Sequence, residues 1–348
     1  MLSLMDMSRA ELEAEFKQRG LPAFRARQVQ EWLLKGATLE EMTNLPLSLR
    51  ESLAKEFALG ACRIEHKQVS ALDGTTKYLF AFSDLNMVEG VLMHYKYGNT
   101  LCVSTQVGCR MGCAFCASTL EGRVRNLTHG EMLSEVIAAN RDEGGGKERA
   151  VTNIVLMGSG EPLDNYDEVM KFLRRVNDPT EGLGISLRNI SLSTCGLVPE
   201  MKALANEDLS VTLSVSLHAP NDTIRRQLMP IANRYSVDEV MDAARGYVEK
   251  TGRRVIFEYA LVQELNDSPE AARELAGRLK GLQCHVNVIA LNPVAETGLV
   301  GSQPHRVREF METLEKNHIS VSRRVTMGAD LDGACGQLRR RVLKEREA

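Results

Sequence analysis

Three cysteines, Cys109, Cys113 and Cys116, stand at C-x3-C-x2-C spacing directly after the strand-like run of residues 100–107. Thiolates on one short loop can bind three irons of a cubane, and a [4Fe–4S] cluster takes four ligands. The spacing therefore predicts one [4Fe–4S] cluster whose fourth iron is open to a substrate or cofactor. The alternatives are a zinc site completed from elsewhere in the chain, because structural zinc closes with four ligands, or three ordinary buried thiols.

An open iron can chelate a ligand that carries an adjacent amine and carboxylate, and S-adenosylmethionine (SAM) carries this pair on its methionine end. An electron passed from the cluster to the sulfonium would cleave SAM to methionine and a 5′-deoxyadenosyl radical. The cysteine spacing therefore favours radical chemistry, with SAM as the second cofactor.

The segment before the cysteines predicts helices followed by a small antiparallel meander. Residues 8–58 follow a helical pattern that begins with a capping box of Ser8 and Glu11, and Pro22 can open a second helix. From residue 64 the pattern alternates, and Asp73-Gly74 predicts a hairpin turn. We expect an N-terminal helical accessory domain, similar to a helix-hairpin-helix, over 1–60 and a β extension over 61–99.

After the cysteines, predicted strands alternate with predicted helices. The strand candidates are residues 101–107, 153–157, 189–193, 211–217, 255–261 and 285–291. Capping signals at Thr128, Ser236 and Ser268 mark helix starts between them. This alternation predicts an α/β fold in which six βα units form a partial (β/α)6 barrel over residues 100–325. Residues 326–348 then form a C-terminal loop, which carries a cysteine, and a basic tail.

In folds of this kind the chemistry belongs at the carboxyl ends of the strands. Small or polar residues collect at several of the predicted ends. They include the cysteine loop, the stretch Gly158-Ser159-Gly160-Glu161-Pro162, Ser193, the run Ser216-Leu217-His218, and Asn292. We expect these residues to surround one pocket.

The composition is that of an ordinary globular protein. It argues against a strongly basic nucleic-acid-binding protein, a disulfide-rich scaffold and a membrane protein. The net charge of -3 gives no overall basic field, so any RNA contact must use a local surface. The eight cysteines are clustered rather than spaced as a disulfide scaffold, which indicates a reducing compartment. The first residues lack a signal-peptide pattern and no apolar run approaches about 18 residues. We therefore expect a cytoplasmic protein with no membrane contact.

The cysteine loop after the first strand of a partial barrel resembles the radical SAM superfamily. The stretch Gly158–Pro162 is similar to that superfamily's glycine-glutamate strip, and this resemblance implies that Glu161 lies near the amino group of SAM. The alternative is that Glu161 is a loop carboxylate without a ligand.

Two further cysteines lie outside the triplet: Cys102 on the first predicted barrel strand, and Cys335 in a glycine-rich segment. Polar methyl transfer to an unactivated aromatic carbon is chemically poor. One SAM could instead methylate a cysteine, and the radical from a second SAM could remove a hydrogen from that S-methyl group. The methylene radical would add to the ring, and a second thiol would release the product as a disulfide forms. Such chemistry needs two cysteines outside the cluster in one pocket.

Taken together, the motifs resemble the RlmN family of adenine-C2 RNA methyltransferases and its C8-methylating Cfr relatives, over nearly the entire chain. The matching stretches are residues 20–29, 100–116, 160–162, 216–222, 228–231, 292–293 and 334–338. The resemblance implies two SAM per turnover, with adenosine 2503 of 23S rRNA and adenosine 37 of tRNA as targets. It also implies an external electron donor such as flavodoxin or ferredoxin, and we expect a monomer.

The resemblance implies a role for each matching residue. The cluster ligands are Cys109, Cys113 and Cys116. The SAM-binding residues are Gly160, Glu161, Ser193, Ser216, Leu217, His218 and Asn292. The catalytic residues are Cys335 as the S-methylated intermediate, Cys102 as its disulfide partner and Glu89 as a proton acceptor. Without the family, Glu89 would be a paired strand carboxylate and His218 a satisfied strand-end histidine. Whether Glu89 or Cys102 removes the C2 proton stays open at this point.

Three alternative functions stay open beside this one. The first is methylation of adenine C8, although Pro162 favours C2 because the C8 relatives have Ala after the motif glutamate. The second is a radical enzyme that acts on a small molecule or a peptide. The third is a non-enzymatic protein that binds zinc or RNA. For the RNA methyltransferase, the N-terminal helices and the basic tail are the expected RNA contacts.

Overall fold

In the computed structural model, which describes residues 2–145, 149–291, 298–331 and 336–347, the chain begins with a helical unit. Its elements are β1 (Leu2–Ser3), α1 (Arg9–Gln18), α2 (Phe24–Leu33), α3 (Leu47–Glu56) and β2 (Phe57–Ala58). Ser8 and Glu11 form the predicted capping box, and the helix they open buries Leu12. The helical prediction for residues 8–58 is confirmed, although α2 begins at Phe24 rather than at Pro22.

The predicted antiparallel meander follows the helical unit. Its strands are β3 (Arg63–Val69), β4 (Thr76–Ala81), β5 (Met87–Tyr95) and β6 (Gly98–Cys102). The turn at Asp73-Gly74 joins β3 to β4, and Gly74 has the positive φ of 74° that glycine adopts without strain. The hairpin prediction is therefore confirmed.

The predicted first barrel strand, residues 101–107, is wrong as a single strand. β6 ends at Cys102, and the separate strand β7 (Gln106–Gly108) pairs with β8 (Arg123–Asn126) outside the main sheet. The chain leaves the sheet at Ser104, whose hydroxyl donates to the carbonyl of Glu89 and accepts from the N–H of Ser159. The cysteine loop is consequently carried by a small hairpin of its own.

Helices and strands alternate through the rest of the chain. They are α4 (His129–Asp142), β9 (Asn153–Leu156), α5 (Tyr166–Asn177), β10 (Ile190–Thr194), α6 (Val198–Leu204), β11 (Thr212–Ser216), α7 (Asp222–Leu228), α8 (Val237–Thr251), β12 (Val255–Leu261), α9 (Pro269–Leu279), β13 (Cys284–Ala290), α10 (Pro304–Lys316), β14 (Val321–Arg323) and α11 (Gln337–Glu347). The side chains of Thr128, Ser236 and Ser268 cap α4, α8 and α9, as their sequence signals predict.

Within the described ranges, the meander and the barrel strands form one ten-stranded sheet, ordered β14-β13-β12-β11-β10-β9-β6-β5-β4-β3. The strands from β6 to β14 in this order run parallel, and fully buried side chains such as Leu192, Leu213 and Phe257 fill the interior. The partial-barrel fold is confirmed, and so are five of its six predicted strands, whereas the first ends at Cys102. The prediction missed β14, a seventh parallel strand, because its three residues are only partly buried or exposed.

No helix in the part of the chain that the structure describes combines the length and the apolarity that a membrane span requires.

Candidate active site

A cavity of about 380 Å³ lies where the cysteine loop meets the carboxyl ends of the parallel strands. Most of the residues that the sequence assigns to the site line this cavity. They are Cys102, Cys109, Cys113, Cys116, Gly160, Glu161, Ser193, Ser216 and His218. The position of the pocket thus follows the strand-end rule for α/β folds.

The cysteine loop is shaped by backbone hydrogen bonds. The N–H of Cys109 donates to the carbonyl of Gly122 over 3.1 Å, and the N–H of Cys116 donates to the carbonyl of Cys113 over 3.1 Å. Gly108 has a φ of 74°, and a Cβ there would lie 2.0 Å from the carbonyl oxygen of Gly122. Only glycine fits this position, so the loop begins with a sharp turn directly before Cys109.

Asp164 fastens the same loop from outside. Its carboxylate, which is 7% exposed, pairs with the guanidinium groups of Arg110 and Arg123, the latter over 2.8 Å. It also accepts a hydrogen bond of 2.9 Å from the side-chain amide of Gln106. Since Asp164 closely follows Glu161, one short segment fixes both the cysteine loop and the glycine strip.

The three loop thiols lie in poorly hydrated surroundings. Burial raises the pKa of Cys109 to about 12, and burial also raises the pKa of Cys113 and of Cys116. Burial therefore disfavours free thiolates here, whereas bound iron would stabilise them, because metal coordination deprotonates a thiol. Among the described residues, no group of His, Cys, Asp and Glu side chains has the geometry of a single-ion site. A cubane binds each cysteine at a different iron, and a donor set of three separate thiols fits it.

The glycine strip lies against the strand-end residues 104–106. A Cβ at Gly158 would lie 2.6 Å from Ser104 Oγ, and a Cβ at Gly160 would lie 2.6 Å from Gln106 Cβ. Gly160 also has a φ of 105°. The strip can therefore form one wall of the cavity only because it has no side chains at these two positions.

Glu161 presents a buried carboxylate on that wall. It is 4% exposed, and its two oxygens accept hydrogen bonds from the N–H of Cys195 (2.7 Å) and the N–H of Leu163 (3.0 Å). Burial raises the pKa of Glu161, while these backbone hydrogen bonds act to lower it. The carboxylate lines the cavity, where it can serve as an acceptor for an amine.

His218 offers the cavity a neutral ring. Burial, together with the nearby Arg225 cation, lowers the pKa of His218 to about 3. Its Nδ1 accepts a hydrogen bond of 2.9 Å from the backbone N–H of Ala260, so the neutral ring carries its own proton on Nε2. Phe115 of the cysteine loop packs edge-on against the ring, with 4.7 Å between centroids. His218 also has a φ of 54°, which is uncommon outside glycine.

Arg225 of α7 is a structural residue that the sequence analysis missed. Its side chain is fully buried and donates to the carbonyls of Cys195 (2.6 Å), Ser216 (3.3 Å) and Leu217 (3.2 Å). It thereby holds the ends of β10 and β11 together.

The Leu217 side chain is buried in the core rather than on the cavity wall, so the predicted SAM contact of Leu217 would have to use its backbone.

Glu258 of β12 was also missed. Its side chain is 3% exposed and lines the cavity; Oε1 accepts from the Asn287 amide (3.1 Å), whereas Oε2 has no hydrogen-bond partner within the described ranges. Burial raises the pKa of Glu258, and the nearby Arg324 cation lowers it. An acidic residue inside an apolar strand was the signal that could have identified it.

The predicted catalytic residues do not all meet. Cys102 lines the cavity, but Glu89 does not; it borders a separate small cavity and pairs with Lys77 over 3.0 Å. Asn292 and Cys335 lie outside the described residues. No disulfide joins two cysteines of the described ranges, and the Cys102–Cys335 bond stays a prediction.

Comparisons with known proteins agree with this geometry. The family model "Radical SAM superfamily" matches residues 103–276, and the model "Ribosomal RNA large subunit methyltransferase N-terminal domain" matches residues 2–59. Two curated proteins described as "Probable dual-specificity RNA methyltransferase RlmN" are similar along the whole chain. The protein of Alkaliphilus metalliredigens is 49% identical and covers 99% of this chain and 97% of its own length. The protein of Clostridium perfringens is 48% identical, with 99% of each chain covered.

A solved structure is similar over the same extent. The crystal structure of a radical SAM methyltransferase from Sphaerobacter thermophilus superposes with a TM-score of 0.91. It is 43% identical in sequence and covers 97% of this chain and 99% of its own chain.

Proposed function

The chain belongs to the RlmN family of radical SAM RNA methyltransferases, and we propose that it methylates carbon 2 of adenine in RNA. The targets in this proposal are adenosine 2503 of 23S rRNA and adenosine 37 of tRNA, as the motif resemblance implies. A [4Fe–4S] cluster and SAM are the cofactors of this family.

One observation carries the proposal: cysteines outside the triplet, Cys102 and Cys195, line the same cavity as the triplet. Cys102, at the end of β6, shares the cavity of about 380 Å³ with Cys109, Cys113 and Cys116. An enzyme that only generates a radical needs no thiol there beyond its cluster ligands. Methyl transfer through sulfur does need one that is not bound to iron.

The residues of the cavity have distinct tasks in this proposal. Cys109, Cys113 and Cys116 hold the cluster, while Gly160, Glu161, Ser193, Ser216, Leu217, His218 and Asn292 bind SAM. When bound, these cofactors supply a carbon-centred radical that can remove a hydrogen atom from a methyl group. Glu161 offers an acceptor to an amino group, His218 offers one N–H donor, and Gly160 lets the glycine strip lie against Gln106.

Cys335 carries the methyl group, and Cys102 releases the product. After the methyl carbon has lost one hydrogen atom it bonds to C2. The adduct then gives up the C2 proton to a base of the cavity and one electron, for which the bound cluster would be the acceptor. The Cys102 thiolate attacks the Cys335 sulfur, so a sulfur–sulfur bond forms and the sulfur–carbon bond breaks. The electron pair of the broken bond stays on the carbon, which takes up a proton and leaves as the new methyl group. A thiol reductant then restores both cysteines.

The rest of the chain serves this reaction. We divide it into a helical accessory domain over 1–60, a β extension over 61–99, the radical SAM barrel over 100–325 and the C-terminal segment 326–348. The accessory domain and the C-terminal helix hold 23S rRNA or tRNA, whose target base must leave its stack to enter the pocket. The enzyme acts as a monomer in the cytoplasm, with flavodoxin or ferredoxin as electron donor.

The test is expression in cells that lack their own enzyme, followed by digestion of rRNA and tRNA and mass analysis of the nucleosides. We expect 2-methyladenosine in both RNAs. Appearance of 8-methyladenosine instead would overturn the position on the base. Absence of any methylated adenosine, with the cluster loaded, would overturn the methyltransferase assignment for this chain.

Cysteine variants separate the proposed roles. Cys335→Ala should form no methylated adenosine because the methyl carrier is gone. Cys102→Ser should leave RNA covalently attached to the protein, because the thiol that breaks the sulfur–carbon bond in this proposal is gone. Cys284→Ala is the matched control, since Cys284 lies at the start of β13 and does not line the cavity. It should keep the wild-type yield.

A further inference from the structure

Glu89 of β5 contacts the C-terminal helix through both of its carboxylate oxygens and also pairs with a lysine. Its Oε1 accepts a hydrogen bond of 2.8 Å from the N–H of Arg339, and its Oε2 accepts one of 2.8 Å from the N–H of Gly336. Lys77 of β4 lies 3.0 Å from the same Oε2, and the two side chains are 4% and 5% exposed. A general base needs a free lone pair directed at the substrate, and this carboxylate is directed at α11 instead.

These contacts form a capping box supplied from another element. In an ordinary capping box, the N-cap side chain accepts from the N3 backbone N–H and the N3 side chain accepts from the N-cap N–H. The N-cap of α11 is Gly336, which has no side chain, and N3 is Arg339, which has no acceptor. Glu89 accepts both of these N–H groups, and its negative charge lies at the positive end of the helix dipole.

Gly336 in turn rests against the cysteine loop. It has a φ of 90°, and a Cβ there would lie 3.2 Å from the N of Ser118 and 3.3 Å from the carbonyl carbon of Ala117. Ala117 directly follows the predicted cluster ligand Cys116. Glu89 therefore sets the start of α11 beside the loop that carries the triplet.

Strand β5 carries both the Glu89 cap of α11 and a residue that lines the cavity. Residues two apart on a strand face the same side and are separated by roughly 7 Å. Val91, two residues beyond Glu89, lines the cavity and pairs across the strands with Cys102. One face of β5 thus holds α11 at Glu89 and forms the cavity wall at Val91.

The chain before α11 is attached to the same meander. The Asp330 carboxylate accepts hydrogen bonds from Ser70 Oγ (2.5 Å) and from the N–H of Ala71 (2.9 Å), and the N–H of Gly328 donates to Asp73 (2.8 Å). The β3–β4 turn therefore fixes the chain on one side of the Cys335 segment, and Glu89 fixes it on the other side.

We propose that Glu89, together with Lys77, is a positioning residue that fixes Gly336, the neighbour of Cys335, against the cysteine loop. The proposal rests on the proposed function, in which Cys335 is the methyl carrier. It assigns Glu89 no proton transfer, so removal of the C2 proton falls to another group of the cavity, such as Cys102.

The first test is amide hydrogen exchange of the loaded enzyme with SAM but without RNA. Glu89→Gln loses the charge and one of the two acceptor oxygens, so exchange at residues 336–340 should be roughly 10- to 100-fold faster. Glu121→Gln is the matched control, because Glu121 pairs with Arg339 at the surface and does not cap the helix. It should leave exchange there near the wild-type rate. Unchanged exchange in Glu89→Gln would overturn the proposal.

The second test separates positioning from proton transfer. Single-turnover methylation is measured with RNA that carries deuterium at adenine C2, using wild type and Glu89→Asp. Positioning predicts slower methylation of Cys335, seen by peptide mass analysis, with the C2 isotope effect unchanged. An isotope effect that rises in Glu89→Asp, or covalent RNA adduct accumulating in Glu89→Gln, would show that Glu89 takes the proton. If wild type formed no methylated adenosine, the proposed function would fail while the exchange result stayed valid.

Discussion

The pH dependence of folding stability should report the buried, neutral ring of His218. The variant to compare is His218→Asn, because asparagine is one of the few residues that tolerate a positive φ. Its Oδ1 can take the place of the ring Nδ1 and accept the N–H of Ala260. The substitution therefore removes the titratable group while it keeps the backbone conformation and the hydrogen bond.

The sign and size of the effect follow from the two pKa values of His218. The pKa is 6.5 in the unfolded chain and about 3 in the folded protein. Below pH 6.5 the unfolded state binds the extra proton, so wild type loses stability as the pH falls, down to about pH 3. Each unit in this window costs about 1.4 kcal/mol, and integration from pH 7 to pH 5 gives about 2 kcal/mol.

The assay is urea unfolding of both proteins, prepared without iron, at pH 7 and at pH 5. Between these values the free energy of unfolding of wild type should fall by about 2 kcal/mol more than that of His218→Asn. Comparing the two proteins cancels the contributions of all other titrating groups. Equal losses in both proteins would refute the buried neutral imidazole, and a larger loss in the variant would show that the folded ring is charged.

Two further predictions concern the residues that fasten the site. Arg225→Met should lower the free energy of unfolding by about 3 kcal/mol or more, because it strands several buried carbonyls; Arg226→Met, an exposed neighbour on α7, should stay within about 0.5 kcal/mol, as urea midpoints will show. Asp164→Asn should release iron to a chelator roughly tenfold faster than wild type, because it weakens the pairs that hold the cysteine loop. Asp167→Asn, at an exposed position of α5, should release iron at the wild-type rate.

Features encoded by neighbouring residues could be predicted from the sequence. Helix starts at Ser8, Thr128 and Ser236 depend on a side chain that bonds to a backbone N–H three residues away. The strands follow local apolar runs, and the strand-end rule then places their polar ends on one cavity. The three cluster cysteines could be predicted without knowledge of the fold, because their spacing is a property of a single loop.

Features that depend on contacts between distant segments could not be predicted in this way. Arg225 looks like a solvated helix residue until the carbonyls of β10 and β11 surround it. Asp164 gains its role from Arg110, which is 54 positions earlier in the chain. The break after Cys102 depends on Ser104 meeting Ser159 across the sheet. The hydrophobic periodicity of the sequence contains no information about such contacts between distant segments.

Because the antiparallel meander and the barrel strands form one continuous sheet, the meander has a role in positioning the site. As a separate β extension, it would only lengthen the chain before the barrel. In the structure β5 pairs with β6, so Glu89 and Cys102 belong to neighbouring strands of one sheet. A shift of β5 by one residue would turn Glu89 away from α11 and Val91 away from the cavity together. The antiparallel strands therefore fix the start of the C-terminal helix α11 relative to the cluster loop.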